Sequence, residues 1–307
     1  MIDGEVAGNP MDDRKWVRQS LKYLAAALVK RRFRIGLTTV RRLLKKLEYR
    51  LFSNCQSLTP RHPDRDKQFR FIRRVRKLFQ ASGRPVISVD TKKKELIGEF
   101  KNKGRIWEQA ATAVNTQDFR SEAVGRAAPY GIYDLTHNLG YVYIGCSYDT
   151  PEFAVHAIAQ WWSNPDRPRF AHEDKLLILC DAGGSNSCRY WRWKIEVQRQ
   201  LADQFGIEVM ICHYPTGASK WNPIEHRLFS EISKNWAGKP LRSFQTMLNY
   251  IQDTTTETGL IVKSFLVRQV FDKGLKYDPQ ERDNLNLQRC RTCPTWNYTL
   301  RPHVCSG

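Results

Sequence analysis

LLILC, residues 176 to 180, contains no polar side chain and stops on Asp181. A short, unbroken apolar run of this kind reads as a central strand covered on both faces, which commits the chain to a layered α/β architecture. A second strand leads to a second carboxylate. In RPVISVDT, Val86, Ile87 and Val89 precede Asp90. Next come YGIYDL and YVYIGCS around THNLG, whose Asn and Gly predict a hairpin turn. The pattern continues with a helix from about 150 to 162, the LLILC strand, a helix running to about Phe205, the strand IEVMIC, and a helix opening at NPIE. The expected class is α/β, a mixed sheet flanked by helices.

This order places Asp90 and Asp181 at strand ends and Glu225 at a helix start, separated by 91 and 44 residues. Converging carboxylates are the ligands of hard divalent cations such as Mg²⁺, and two such ions clamp a phosphodiester during in-line displacement. Each acid also has an ordinary reading. Asp90 fits the start of a turn before TKKK, and Asp181 fits a cap for the AGGSNS loop. Glu225 fits the third position of a capping box in which Asn222 is the cap and Pro223 opens the helix. No GxxxxGK or GxGxxG accompanies the Gly-rich loop, which argues against a nucleotide site.

Charge names the partner class. Lys and Arg number 50 against 31 Asp and Glu. Residues 1 to 80 hold 21 basic and 7 acidic side chains, while the rest of the chain is nearly balanced. A basic front end points to a polyanion, and on such a chain three converging acids call for a neutralising metal. A membrane does not fit, since the apolar stretch LAAALV is far short of the ~20 residues of a span. The start, MIDGEVAGNPMDD, has no apolar signal segment. The eight Cys are mostly scattered singly, as in reduced cytosolic proteins.

Two amphipathic helices are predicted in the basic region. Ser20 caps the first, with Leu21, Leu24, Ala25 and Leu28 on its apolar face. The second starts at Thr38 or Thr39 and buries Val40, Leu43, Leu44 and Leu47. Joined across Gly36 they read as a helix-turn-helix, with Thr39, Arg41, Arg42, Lys45 and Lys46 as DNA contacts. The alternative is a helical hairpin with a solvated basic face. A third basic helix follows in 61–83, with Phe71, Ile72, Val75, Leu78 and Phe79 as its apolar stripe and a break at Ser82-Gly83. The predicted division is a DNA-binding region over 1–60, a basic linker helix over 61–83, a catalytic domain over 84–275 and a C-terminal tail over 276–307.

Several long motifs closely resemble the Rhodopirellula-type DDE transposases, the ISAzo group of bacterial insertion sequences. They are DTKKKELIGEFKN (90–102), PYGIYDL (129–135), DTPEFAVHAIAQWW (149–162), LILCDAGGSNSCRYWRWKIEVQ (177–198) and CHYPTGASKWNPIEHRLFS (212–230). The helix-turn-helix segment, HPDRD (62–66) and WNYTLRP (296–302) share the likeness. The resemblance implies an RNase H-like fold with Asp90, Asp181 and Glu225 as the catalytic and metal-binding triad. It gives Asn222 and His226 supporting roles. Lys92, Lys93 and Lys94, beside Asp90, are candidate phosphate contacts, with a solvated face as the alternative. It further implies Mg²⁺ or Mn²⁺ as a pair of ions, double-stranded DNA (element terminal repeats and target DNA) as partner, and a homo-oligomer on that DNA. The expected location is the bacterial cytoplasm at the nucleoid.

Two departures bear on these expectations. EVAGNPM resembles an internal family segment, implying an N-terminally truncated copy, and Gln117 and Tyr148 stand where His is expected. A catalytically decayed copy that only binds DNA is the rival expectation. In the tail, Cys290, Cys293, His303 and Cys305 form C-x2-C-x9-H-x-C, a spacing tighter than usual zinc sites, so structural Zn²⁺ competes there with a loose tail.

Overall fold

The computed structural model describes residues 6–8, 15–17, 19–51 and 62–303. The chain divides into two compact units, Met1–Thr59 and Pro60–Gly307.

In the first unit, β1 (Val6–Gly8) pairs antiparallel with β2 (Lys15–Val17). Helix α1 (Leu21–Lys30) is capped by Ser20, whose hydroxyl accepts from the Tyr23 N–H at 3.2 Å. Helix α2 (Leu37–Lys46) starts earlier than expected, with Gly36 rather than a threonine at its cap position. The two helices meet through Leu24, Ala25 and Val40. Leu44 packs against this cluster, but Leu43 and Leu47 are exposed, so only half of the stripe read from the sequence is covered within the unit.

The second unit opens with α3 (Arg65–Ala81). It continues through β3 (Val86–Thr91), β4 (Glu95–Ile97), β5 (Gly125–Asp134) and β6 (Leu139–Gly145). Then come α4 (Pro151–Ser163), β7 (Lys175–Asp181), α5 (Trp191–Val197) and β8 (Glu208–Tyr214). After β8 the chain forms a wide helical turn over Glu225–Phe229, α6 (Ser230–Asn235), α7 (Phe244–Gln252) and β9 (Ile261–Val267). The last elements are α8 (Pro279–Asp283), β10 (Leu287–Arg289) and β11 (Asn297–Leu300).

Among the described residues nine strands form one sheet, in the order β10-β11-β8-β7-β3-β5-β6-β9, with β4 beside β5. Strands β3, β5 and β6 make an antiparallel meander, and β7 and β8 add in parallel on the other side of β3. This is the mixed sheet flanked by helices that the sequence predicts, and it puts β3 and β7 side by side at its centre.

The alternation of side chains explains the layers. Leu176, Ile178 and Cys180 face a core formed with α4 and α5, while Leu177 and Leu179 face α3. The unbroken apolar run of β7 is therefore covered on both sides. On the α3 side of the sheet, Ile224, Leu228 and Phe229 pack with α7 over β5 and β6. Gly131 on β5 makes that approach possible, because a Cβ there would come within 2.5 Å of the Phe229 ring.

Two expected boundaries change. The segment read as a linker helix belongs to the second unit, where Phe71, Ile72 and Val75 are buried against Val86, Leu177 and Cys212. Burying each such side chain contributes about 1.5–3 kcal/mol. Gln68 and Asn297 lock the helix to β11 through reciprocal amide bonds of 2.7 and 2.6 Å. The segment read as a tail supplies β10 and β11 to the sheet, and β11 pairs with β8. Among the described residues no helix is long and apolar enough to cross a membrane.

Candidate active site

Asp90 and Asp181 end neighbouring parallel strands. Val89 pairs with Cys180 in the β3–β7 register, so both carboxylates emerge at the same edge of the sheet. Glu225 approaches from the following helix, and its placement depends on a residue with no charge. The Ser88 hydroxyl, on β3, donates to Asn222 Oδ1 at 2.5 Å and accepts from the Ile224 N–H at 3.2 Å. Asn222 is fully buried. Its Nδ2 donates to Asp181 Oδ1 at 3.3 Å and faces the Val89 carbonyl at 3.4 Å.

The expected capping box is therefore not what orients Glu225. Asn222 spends its amide on Asp181 and Ser88, and the cap for the helix start comes from another strand. The backbone does turn where expected, with the Glu225 N–H donating to the Asn222 carbonyl at 3.1 Å. Glu225 then opens a wide, i→i+5 turn, a local irregularity frequent at functional sites.

The electrostatics record the crowding. Burial pushes the Asp90 carboxyl up to about 8, and the charges of Asp181, Glu225 and Asp149 push in the same direction, opposed by the Thr91 N–H. Burial likewise raises Asp181 to about 6, with Glu225 adding to the shift and Asn222 opposing it. These acids feel one another, which is the condition that a divalent cation relieves. Among the described residues, no three His, Cys, Asp or Glu side chains gather tightly enough to enclose one ion. An all-oxygen donor set suits Mg²⁺ or Mn²⁺.

The other expected residues fall as follows. Lys92 is largely buried, 3.7 Å from Glu95 and with its ammonium 4.8 Å from the Trp236 ring centre. Burial lowers its pKa, while Glu95 and Glu225 oppose that shift. Lys94 pairs with Asp149 at 3.1 Å, and Lys93 is exposed. His226 is also exposed, and its Nε2 contacts the Lys220 carbonyl in the preceding loop. On α2, Thr39 is half-buried, and Arg41, Arg42, Lys45 and Lys46 are exposed.

The Cys/His cluster is not assembled. Cys293 packs with Cys188 and Trp296, and Cys290 packs at the edge of the core beneath α3. The His303 ring bonds Asp203 and the Asn284 carbonyl. Cys305 lies outside the described residues.

Several contributors escaped the sequence reading. Asp149 accepts from the Thr91 hydroxyl at 3.0 Å, bringing a fourth carboxylate beside Asp90. Ser185 and Asn186, in the Gly-rich loop, contact Thr91 and Tyr130 at 3.3 and 3.0 Å. That loop thus braces the strand ends. Beneath Asp181, His213 Nδ1 meets the Asp181 carbonyl at 2.9 Å and its Nε2 meets the Tyr298 hydroxyl at 2.9 Å. The Tyr298 oxygen in turn accepts from Trp193 at 3.0 Å. His213 and Tyr298 had a signal, as polar or hydroxyl-bearing side chains within strand patterns; Asp149, Ser185 and Asn186, on loops, had none.

A family model described as the Rhodopirellula transposase DDE domain matches residues 1–302. No curated protein matches the chain. Among solved structures, the chain is similar to the Mos1 strand transfer complex at 15% identity and a TM-score of 0.41, over 78% of this chain and 66% of that one. It is similar to the Mos1 transposase paired-end complex with left transposon end at 11% identity and a TM-score of 0.39, over 78% and 66% of the two chains. The Mos1 mariner paired end complex with Mn matches at 13% identity and a TM-score of 0.40, over 78% and 67%. The chain thus spans about two thirds of the Mos1 chains it matches.

Proposed function

Because the chain belongs to the Rhodopirellula DDE-domain transposase family, we propose that it cuts and rejoins DNA at the ends of a mobile element. Asp90, Asp181 and Glu225 are its catalytic carboxylates. The observation that carries this reading is the hydrogen-bond chain from Ser88 through Asn222 to Asp181, which ties the two Asp-bearing strands to the helix that presents Glu225.

Asp90, Asp181 and Glu225 would together hold a pair of Mg²⁺ or Mn²⁺ ions, which all-oxygen donors suit. When bound, such ions activate water and neutralise charge on the phosphodiester. Water attacks phosphorus, the P–O3′ bond breaks, and a 3′-hydroxyl is freed beside a 5′-phosphate. The same site then aligns that hydroxyl for attack on a target phosphodiester, displacing a second 3′-oxygen. Ser88 and Asn222 hold the acids in register, and burial of Asp90 and Asp181 limits competing water. Lys93, exposed beside the site, meets substrate phosphates with Lys92 and Lys94 behind it. Thr39, Arg41, Arg42, Lys45 and Lys46 on α2 contact the element ends, and the protein works as a homo-oligomer on double-stranded DNA at the nucleoid.

The test is incubation of labelled element-end DNA with the protein and Mg²⁺ or Mn²⁺, beside an Asp181→Ala control. Metal-dependent nicks bearing 3′-hydroxyls, absent with the variant, support the reading. Binding without any metal-dependent product indicates a catalytically decayed DNA-binding copy.

A further inference from the structure

A groove of 480 Å³ runs between α3 and the loop that precedes Glu225, outside the carboxylate cluster. Its walls alternate aromatic and cationic side chains: Phe69, Tyr214 and Trp221 with Arg65, Arg73 and Arg76. The Phe69 ring sits edge-on to Trp221 at 6.1 Å and is tilted against Tyr214 at 6.0 Å. The Arg65 guanidinium lies 5.1 Å from the Phe69 ring centre, and the Lys220 ammonium 5.6 Å from that of Trp221.

Two features of this groove point to a ligand. The Trp221 side chain is 54% exposed at the groove rim, although an indole on a loop normally covers apolar surface. Arg76, which lines the groove, is half-buried, and its Nε has no hydrogen-bond partner among the described residues, a costly state for a charged donor. The groove thus offers a flat aromatic face for stacking together with arginine side chains for an anion. Nucleotides supply both groups in one repeating unit, and flat rings with arginines are how single strands are held.

Location narrows the choice. Trp221 directly precedes Asn222, whose amide donates to Asp181. Tyr214 ends β8 opposite Asp181 in the β7–β8 register. Whatever lies in the groove is next to the carboxylate edge of the sheet.

We propose that this groove takes one unpaired nucleotide of the DNA strand flanking the scissile phosphate, the base stacking on Trp221 and the phosphate meeting Arg76. The proposal rests on the DNA-cleaving function above and adds to it that the duplex opens beside the cut. Opening a base pair costs a few kcal/mol, which stacking at 1–3 kcal/mol per base partly offsets. Asp66, the one acid on the rim among the described residues, is exposed and pairs with Arg65 at 3.6 Å, so it does not close the groove to an anion.

The test is run in EDTA, so that it is independent of cleavage. The full-length protein is titrated into a duplex carrying a short single-stranded flap with 2-aminopurine at the first unpaired position. Quenching of the probe is expected, with Trp221→Ala weakening flap binding roughly five- to hundred-fold. Trp221→Phe should retain most of the affinity, and binding to a fully paired duplex should be unchanged by either substitution. Arg76→Ala should weaken flap binding and reduce its salt dependence. Equal loss for flap and duplex, or no loss with Trp221→Ala, overturns the proposal. Displacement of the flap by micromolar free deoxynucleotide would also overturn it, in favour of a mononucleotide site. If the wild-type protein quenches the probe yet never nicks DNA with metal, the cleavage reading fails while the groove assignment stands.

Discussion

Ser88 and Asn222, 134 residues apart in sequence, share a 2.5 Å hydrogen bond that joins the Asp90 strand to the start of the Glu225 helix. The same hydroxyl caps that helix at Ile224. One uncharged side chain therefore sets the register between elements that carry two of the three acids.

Replacing Ser88 with Ala should leave both the Asn222 oxygen and the Ile224 N–H buried without a partner. A loss of about 2 kcal/mol in urea unfolding is expected from such orphaned groups. Metal-dependent nicking should fall at least tenfold, since about an ångström of misplacement at a reacting centre is costly. A variant that loses stability but nicks normally would separate Ser88 from the site.

Gly131→Val tests the closeness of the Glu225 helix to the sheet. The added side chain would drive into the Phe229 ring and the Ile224 methyl. Overpacking of this type costs about 1–3 kcal/mol, and here the element displaced carries Glu225. Nicking should therefore drop far more than the thermal midpoint implies, whereas Gly183, with open space around its Cβ position, should accept Ala at little cost.

Asp90 gives the metal response a sign. Its carboxyl is pushed up to about 8 by burial and neighbouring acids, against an unfolded value near 4. A raised carboxyl pKa means that stability present below the unfolded pKa is lost as pH rises through the folded one. In EDTA the protein should therefore weaken from pH 4 toward pH 8, and Asp90→Asn should raise the midpoint by roughly 5 °C or more at pH 8. Mn²⁺ should stabilise the wild type more at pH 8 than at pH 6 and leave Asp90→Asn nearly unchanged. Differential scanning fluorimetry at the two pH values reads all of this.

His213 acts in the opposite pH direction. Burial first, with Lys194 adding, holds its imidazole down at about 4, despite the Asp181 carbonyl favouring the charged form. The unfolded chain takes up its proton near 6.5, so stability is complete above that value and is lost as pH falls from about 6.5 to 4. The full loss is about 3 kcal/mol. Because Asp90 and Asp181 titrate in the opposite sense, the effect is read as the difference between wild type and His213→Gln in urea unfolding: the variant should be less stable at pH 7, and the gap should narrow at pH 5.

Much of the site was legible in the chain because strand ends announce themselves. VISVD and LLILCD each close an apolar run with a carboxylate, and the NPIEH start is a recognisable helix opening. What stayed hidden depends on pairings between distant residues. Gln68 looks like a solvated residue of a basic helix, and only its bond to Asn297, 229 positions away, shows that α3 is part of the core. The five apolar residues of α3 promised a buried stripe, yet without a visible partner surface the helix read as a connector. Strands β10 and β11 are three and four residues long, too short for alternation to rise above the noise of a tail. Ser88 in a strand and Trp221 on a loop carry no local mark of their roles, because each is defined by what it faces.

Anomalous diffraction from crystals soaked in Mn²⁺ would show directly whether the three carboxylates share metal. Manganese peaks ~3.5–4 Å apart, coordinated by carboxylate oxygens of Asp90, Asp181 and Glu225, are expected, and they should vanish in Asp181→Ala crystals. Manganese bound elsewhere, or an ordered site in which any one of the three carboxylates stays uncoordinated, would contradict that sharing.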